Sequence, residues 1–184
     1  MFRTLKYIAL AIAAMSFVSA LPAAASNNGI RQRAQNVAVA KLPPLAFQLY
    51  CLKHPDDCKR SRHGQVAYTP RLRATLEAVN TSVNRSIKPL RERRDVWSLN
   101  PARGDCDDYV MTKRHRLIKA GIPSGALRVA VVRTWSGEGH AILVVKTTAG
   151  DLVLDNLRKT IVKRSQAGYR AVSMASADPY SWNN

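Results

Sequence analysis

The hydrophobic residues of this chain change period once, and that change sets the fold class. Leu72, Leu76, Val79, Val83 and Ile87 recur at helical spacing behind Thr69-Pro70, a cap followed by a first-turn proline. Pro89 closes this helix. Asp105 caps a second one, from Cys106 to Ala120, with Gly121 as its stop and Pro123 behind it. Tyr109, Val110, Leu117 and Ile118 form its buried face. Beyond Gly121 the pattern shortens to that of strands, with expected elements at 126–134, 140–146, 151–156 and 160–163, the first three joined by Gly-containing turns. Helices first and an antiparallel meander second predict an α+β domain.

The N-terminus predicts the compartment. Arg3 and Lys6 precede an apolar run from Tyr7 to Val18, and Ala23-Ala24-Ala25 offers small residues for cleavage. This is the layout of a secretory leader over 1–25; the apolar stretch is short for a membrane anchor, the competing reading. Residues 26–44 are polar and small, ending in Pro43-Pro44, and read as a flexible mature N-terminus; 45–184 is then the folded domain. After leader cleavage no stretch is apolar enough to span a bilayer, so a soluble periplasmic or secreted monomer is expected.

Export brings an oxidising environment. Cys51 and Cys58 then read as a small disulfide loop, worth roughly 2–3 kcal/mol on the chain-entropy model. A zinc reading needs more ligands than His54 and His63 supply. Pairing these two leaves Cys106 over. A thiol, then His140, then Asp155 is the set for a cysteine nucleophile, its base and the acid that orients the base. If the turn after Thr147 places Lys146 opposite Asp151, Asp155 becomes the diagonal neighbour of His140 on one face of the sheet. Merely buried thiol and scaffold histidine are the bland alternatives.

A helix N-terminus favours a Cys106 thiolate, whereas Asp105, Asp107 and Asp108 oppose it. Asp105 and Asp107 offer oxygen ligands to calcium, although two carboxylates make an incomplete site. Asn80 and Asn84 flank the apolar stripe and read as surface or capping amides. The chain carries 29 Lys and Arg against 12 Asp and Glu, a net +17. Leader cleavage removes two of the basic residues and none of the acidic ones, leaving about +15. Such charge suits an acidic target or an anionic envelope polymer. Nucleic acid is not expected, because the basic residues are not interleaved with an aromatic platform.

Several segments together resemble the bacterial transglutaminase-like cysteine proteinases. They are Gly104-Asp105-Cys106-Asp107-Asp108-Tyr109, Lys113-Arg114, Ala120-Gly121-Ile122-Pro123, Val131-Val132-Arg133, Gly137-Glu138-Gly139-His140-Ala141 and Gly150-Asp151-Leu152-Val153-Leu154-Asp155-Asn156. The Tyr50–Cys58 segment, Val79-Asn80 with Val83-Asn84, and Asp178-Pro179 with Trp182 also fit, so the resemblance covers about residues 44–182. It implies a transglutaminase-like, papain-related fold and a Cys106–His140–Asp155 triad. It also implies a protein substrate, such as an acidic surface adhesin cut in the periplasm. The chemistry itself needs no cofactor. Calcium is the ion the resemblance suggests, with Asp105 and Asp107 in the acidic region beside the nucleophile. Asp107 stands where calcium-dependent members usually carry Glu. Hydrolysis is the leading expectation for an oxyanion met by the Cys106 N–H and Trp97. Amide transfer or deamidation through the same acyl-enzyme, and a non-enzymatic basic envelope-binding module, are the alternatives.

Overall fold

The structure, a computed structural model, describes residues 41–183. The expected leader and most of the 26–44 segment lie outside the described residues. Lys41, at the end of that segment, is tied to the fold. Its N–H donates to the Trp182 carbonyl at 2.9 Å, and the Trp182 N–H returns a bond to Lys41 O at 3.1 Å.

Helix α1 spans Leu45–Lys53 and buries Ala46, Phe47, Tyr50 and Cys51. It gave no helical stripe in the sequence because its other side is apolar too. A single 3-10 turn at Pro55–Cys58 follows, and Cys51 is joined to Cys58 by a disulfide. Helix α2, Pro70–Ser86, starts as expected, with the Leu72 N–H donating to Thr69 Oγ1 at 3.1 Å. Leu76, Val83 and the following Ile87 are buried, each stabilising the fold by about 1.5–3 kcal/mol.

The charged connection after α2 is bracketed by two short parallel strands, β1 at Lys88–Pro89 and β2 at Arg103–Gly104. They pin both ends of the loop and deliver the chain to helix α3, Cys106–Lys119. Gly121 ends α3 at φ +88, a left-handed conformation that favours glycine. The Ile122 N–H reaches back to Leu117 O at 3.0 Å.

Six antiparallel strands form the main sheet: β3 Leu127–Arg133, β4 Gly139–Thr147, β5 Gly150–Leu154, β6 Val162–Lys163, β7 Arg170–Ala175 and β8 Trp182–Asn183. Their order is β6-β5-β4-β3-β7-β8. The first four occupy the expected positions, with β6 only two residues long. Strands β7 and β8 were not expected: most of β7 is exposed or half-buried, and β8 is too short to show a period. Central strand β4 is buried on both faces, so its sequence is a continuous apolar run. Ala141, Leu143 and Val145 face α3 and the larger core; Ile142 and Val144 pack with Val132 and Val153 on the other side.

Two residues of α3 anchor it further. Arg114 donates to Asp57 O at 2.6 Å and Leu127 O at 3.2 Å, and His115 Nδ1 lies 2.9 Å from Asp57 Oδ2. The disulfide loop thus clamps the middle of the helix that begins with Cys106. Among the described residues no helix is long and apolar enough to cross a membrane.

Candidate active site

The α3 N-terminus is built by its acidic residues in unequal roles. Asp105 is the N-cap residue, and Asp108 accepts the Asp105 N–H at 3.2 Å. Asp108 also accepts the Ser98 N–H at 2.8 Å, which secures the preceding loop. Gly104 is required here, because a Cβ on it would lie 2.0 Å from Asp108 Oδ2. Asp108 is therefore a structural acid, fully buried, while Asp105 and Asp107 face Cys106.

The β4–β5 register places Lys146 opposite Asp151, as the sequence reading supposed, and the ladder ends at Leu143 opposite Leu154. The next residue, Asp155, then meets His140 diagonally: His140 Nε2 and Asp155 Oδ1 are 2.9 Å apart. Both are buried. Asp155 Oδ1 also accepts the Leu157 N–H at 3.0 Å, and Oδ2 accepts the Tyr169 hydroxyl at 2.5 Å. Burial works to raise the Asp155 pKa, but these hydrogen bonds outweigh it and hold the carboxyl below its ordinary value. The Tyr169 ring sits 5.5 Å from the imidazole, centre to centre.

Cys106 and His140 line one groove of about 590 Å³, together with Asp105, Tyr109, Glu138 and Leu157. With Nε2 held by Asp155, Nδ1 is the histidine nitrogen left for the thiol proton. The backbone N–H of Ala141, next to His140, is directed at Cys106 and lowers its pKa. Burial acts more strongly in the opposite direction, and Asp107 and Asp105 add to it, so the thiol is pushed up to about 11. Desolvation and two neighbouring carboxylates thus outweigh the backbone N–H groups of Ala141 and Cys106 that favour the thiolate. Cys106 on its own is a poorly ionised thiol: of the two opposing influences read from the sequence the acids prevail, with burial added to them.

The same acids fit a cation. Ligand atoms of Asp105, Cys106 and Asp107 lie within 4.8 Å of one another. Asp105 Oδ1 is buried with no hydrogen-bond partner among the described residues. Burial, followed by the adjacent Asp105 carboxylate, pushes Asp107 up to about 9. Carboxylate oxygens suit a hard divalent ion, which would offset the repulsion that protonates Asp107.

Two sequence readings need correction. Trp97 does not offer its indole to the groove: it is buried, packs edge-on against Phe47 at 5.6 Å, and donates Nε1–H to Asp95 Oδ1 at 2.8 Å. Asn80 and Asn84 are not surface amides. Asn84 Nδ2 donates to Asp155 O at 2.9 Å and Arg158 O at 3.2 Å, and Asn80 reaches Lys159 O at 3.5 Å. They hold the turn that carries Asp155. Spacing pointed at them, since both sit beside the buried stripe of α2. Nothing in the sequence marked Tyr169. Lys113 is fully buried, its Nζ without a hydrogen-bond partner among the described residues and 5.9 Å from the Tyr109 ring centre. Burial pushes it down to about 7, against the attraction of Asp155.

The profile of the bacterial transglutaminase-like cysteine proteinases matches residues 37–184. The calcium-bound structure of LapG from Legionella pneumophila is similar at a TM-score of 0.53 and 26% identity, covering 60% of this chain and 68% of that one. A second structure of the same Legionella protein gives 0.51 and 24%, covering 60% and 66%. No curated protein sequence matches the chain.

Proposed function

This chain belongs to the bacterial transglutaminase-like cysteine proteinases, and from that premise we propose that it is a periplasmic peptidase acting on a surface or envelope protein through Cys106, His140 and Asp155. The observation that carries the reading is the 2.9 Å contact of buried Asp155 with His140, which lines the same groove as Cys106. His140 Nδ1 takes the thiol proton as Sγ attacks the scissile carbonyl carbon. The tetrahedral oxyanion is met by the Cys106 backbone N–H, a first-turn donor without an intrahelical acceptor. Collapse expels the amine, which leaves with the proton returned by His140, and an acyl-thioester remains. Water, deprotonated by the same imidazole, then releases the acid and the thiol. Asp155 keeps Nε2 protonated and the ring oriented throughout.

Asp105 and Asp107 are the residues that would hold calcium. The calcium-bound state of the similar Legionella protein supports calcium as the ion. When bound, the ion supplies positive charge beside the nucleophile. The residues' own part is to supply oxygen ligands and to leave Cys106 facing the groove. The net charge of about +15, from 29 basic and 12 acidic residues less Arg3 and Lys6, would draw an acidic protein substrate such as an adhesin towards the enzyme.

The test compares the surface and secreted proteomes of wild-type and Cys106→Ala cells. One protein retained uncut in the variant names the substrate; identical proteomes would sink the peptidase reading. Adding a labelled amine separates hydrolysis from amide transfer, since incorporation into the substrate would favour transfer.

A further inference from the structure

Helix α1 is apolar on two sides, and only one of them is used. Phe47, Tyr50 and Cys51 enter the core, with Phe47 edge-on to Trp97 and to Trp182 at 5.6 and 5.5 Å. On the other side, Leu45, Leu49 and Leu52 follow one another at steps of four and three, with Leu42 three residues earlier. At 100° per residue the three helical leucines fall within one narrow sector, and Leu42 lies in the chain just before the helix. They are 81% (Leu42), 69% (Leu45), 49% (Leu49) and 79% (Leu52) exposed. Together they leave on the order of 500 Å² of apolar surface open, near the top of the range for a monomer's largest patch.

The stripe is rigidly mounted. The aromatic contacts hold the middle of α1, the Cys51–Cys58 disulfide holds its C-terminal end, and the Lys41–Trp182 backbone pair holds the chain just before Leu42. Leucines on such a support are presented outward by the fold rather than by a fraying end.

Charge decides which occupant suits this face. Exposed Lys41 and Lys53 stand at the two ends of the stripe. A second copy seated on the same face would bring those lysines together, on two chains that each carry a large positive charge. An anionic lipid surface reverses that sign: leucines enter the headgroup–acyl boundary while lysine stems reach the phosphates. We propose that the Leu45–Leu52 face of α1, with Leu42 just before it, docks this protein peripherally on anionic membranes. The inference rests on this surface alone and is independent of the peptidase reading.

Sedimentation of the purified protein with vesicles tests it. The wild type should bind phosphatidylcholine vesicles containing phosphatidylglycerol, bind pure phosphatidylcholine weakly, and dissociate as salt is raised. Substituting Leu45→Ser with Leu49→Ser should lower the partition by about tenfold or more. Leu42→Ser with Leu52→Ser, which changes the two most exposed positions, provides an independent variant whose fold is read from its thermal melt. Lys41→Gln with Lys53→Gln should lower binding to anionic vesicles alone. Equal partition of the wild type and both leucine variants would overturn the proposal. So would a dimer in light scattering that either leucine pair abolishes, because a second copy would then occupy the face.

Discussion

The two ends of the proposed triad are built to different degrees of completion. At the Asp155 end every carboxylate oxygen is engaged, by His140, Tyr169 and the Leu157 N–H, and the group stays ionised below its ordinary pKa. At the Cys106 end Asp105 Oδ1 is buried without a partner among the described residues, Asp107 is pushed up to about 9 and the thiol to about 11. One end is preorganised by protein groups alone. The other carries excess negative charge that a cation would relieve. In the proposed triad the base and its orienting acid are thus set before the nucleophile is, which would make thiol ionisation the step open to control.

The largest expected effect breaks both ends at once. Cys106→Ala should reduce peptide hydrolysis by about a millionfold, to background, and abolish labelling by iodoacetamide. Residual labelling would mean that another group reacts.

Asp155→Asn tests the finished end. It should lower kcat by about 10⁴ through loss of the useful tautomer, with the fold retained in circular dichroism. Activity within about tenfold of wild type would mean that Asp155 is scaffolding only.

Calcium removal tests the unfinished end. Chelation should slow Cys106 alkylation by about 10–100-fold, and Asp107→Asn should make that rate insensitive to calcium. Equal rates with and without calcium in the wild type would remove the cation from the account.

Asn84→Ala sharpens the comparison by acting on the support of the finished end. Loss of its bonds to Asp155 O and Arg158 O should cost about 1–3 kcal/mol in denaturant unfolding. Asn80→Ala, which loses one long bond, should cost less.

The smallest effect is in pH, where the two ends differ in sign. The lowered Asp155 pKa contributes stability present above its unfolded value of about 3.9 and lost as pH falls through the folded value. The raised Asp107 pKa does the reverse: the folded state binds the extra proton, so stability falls as pH rises from about 3.9 towards about 9. A cation removes that penalty. The gain in Tm on adding calcium should therefore grow between about pH 5 and about pH 8, and should stay flat in Asp107→Asn.

Local chemistry made much of this legible. The caps at Thr69 and Asp105, the stop at Gly121, the β4–β5 register and the Cys51–Cys58 pair depend on neighbours or on spacing, and the structure places them where the residues indicated. Helix α1 escaped because apolar residues on two sides cancel the periodic signal. Strand β7 escaped because its mixed burial does not alternate cleanly. Trp97 was misplaced because an indole reads alike in a core and in a cleft; only its contacts with Phe47 and Asp95 distinguish them.

The amino-acid sequence by itself determined the α+β class and the three residue types offered for chemistry. It also determined the surplus of acids beside the thiol, since period, order and charge are properties of the chain. Tertiary structure alone decided that Tyr169 and Asn84 complete the Asp155 end, that burial outweighs the backbone N–H groups aimed at Cys106, and that four leucines face outward. Hydrogen bonding, desolvation and exposure depend on which distant segments meet, and no local pattern carries that information.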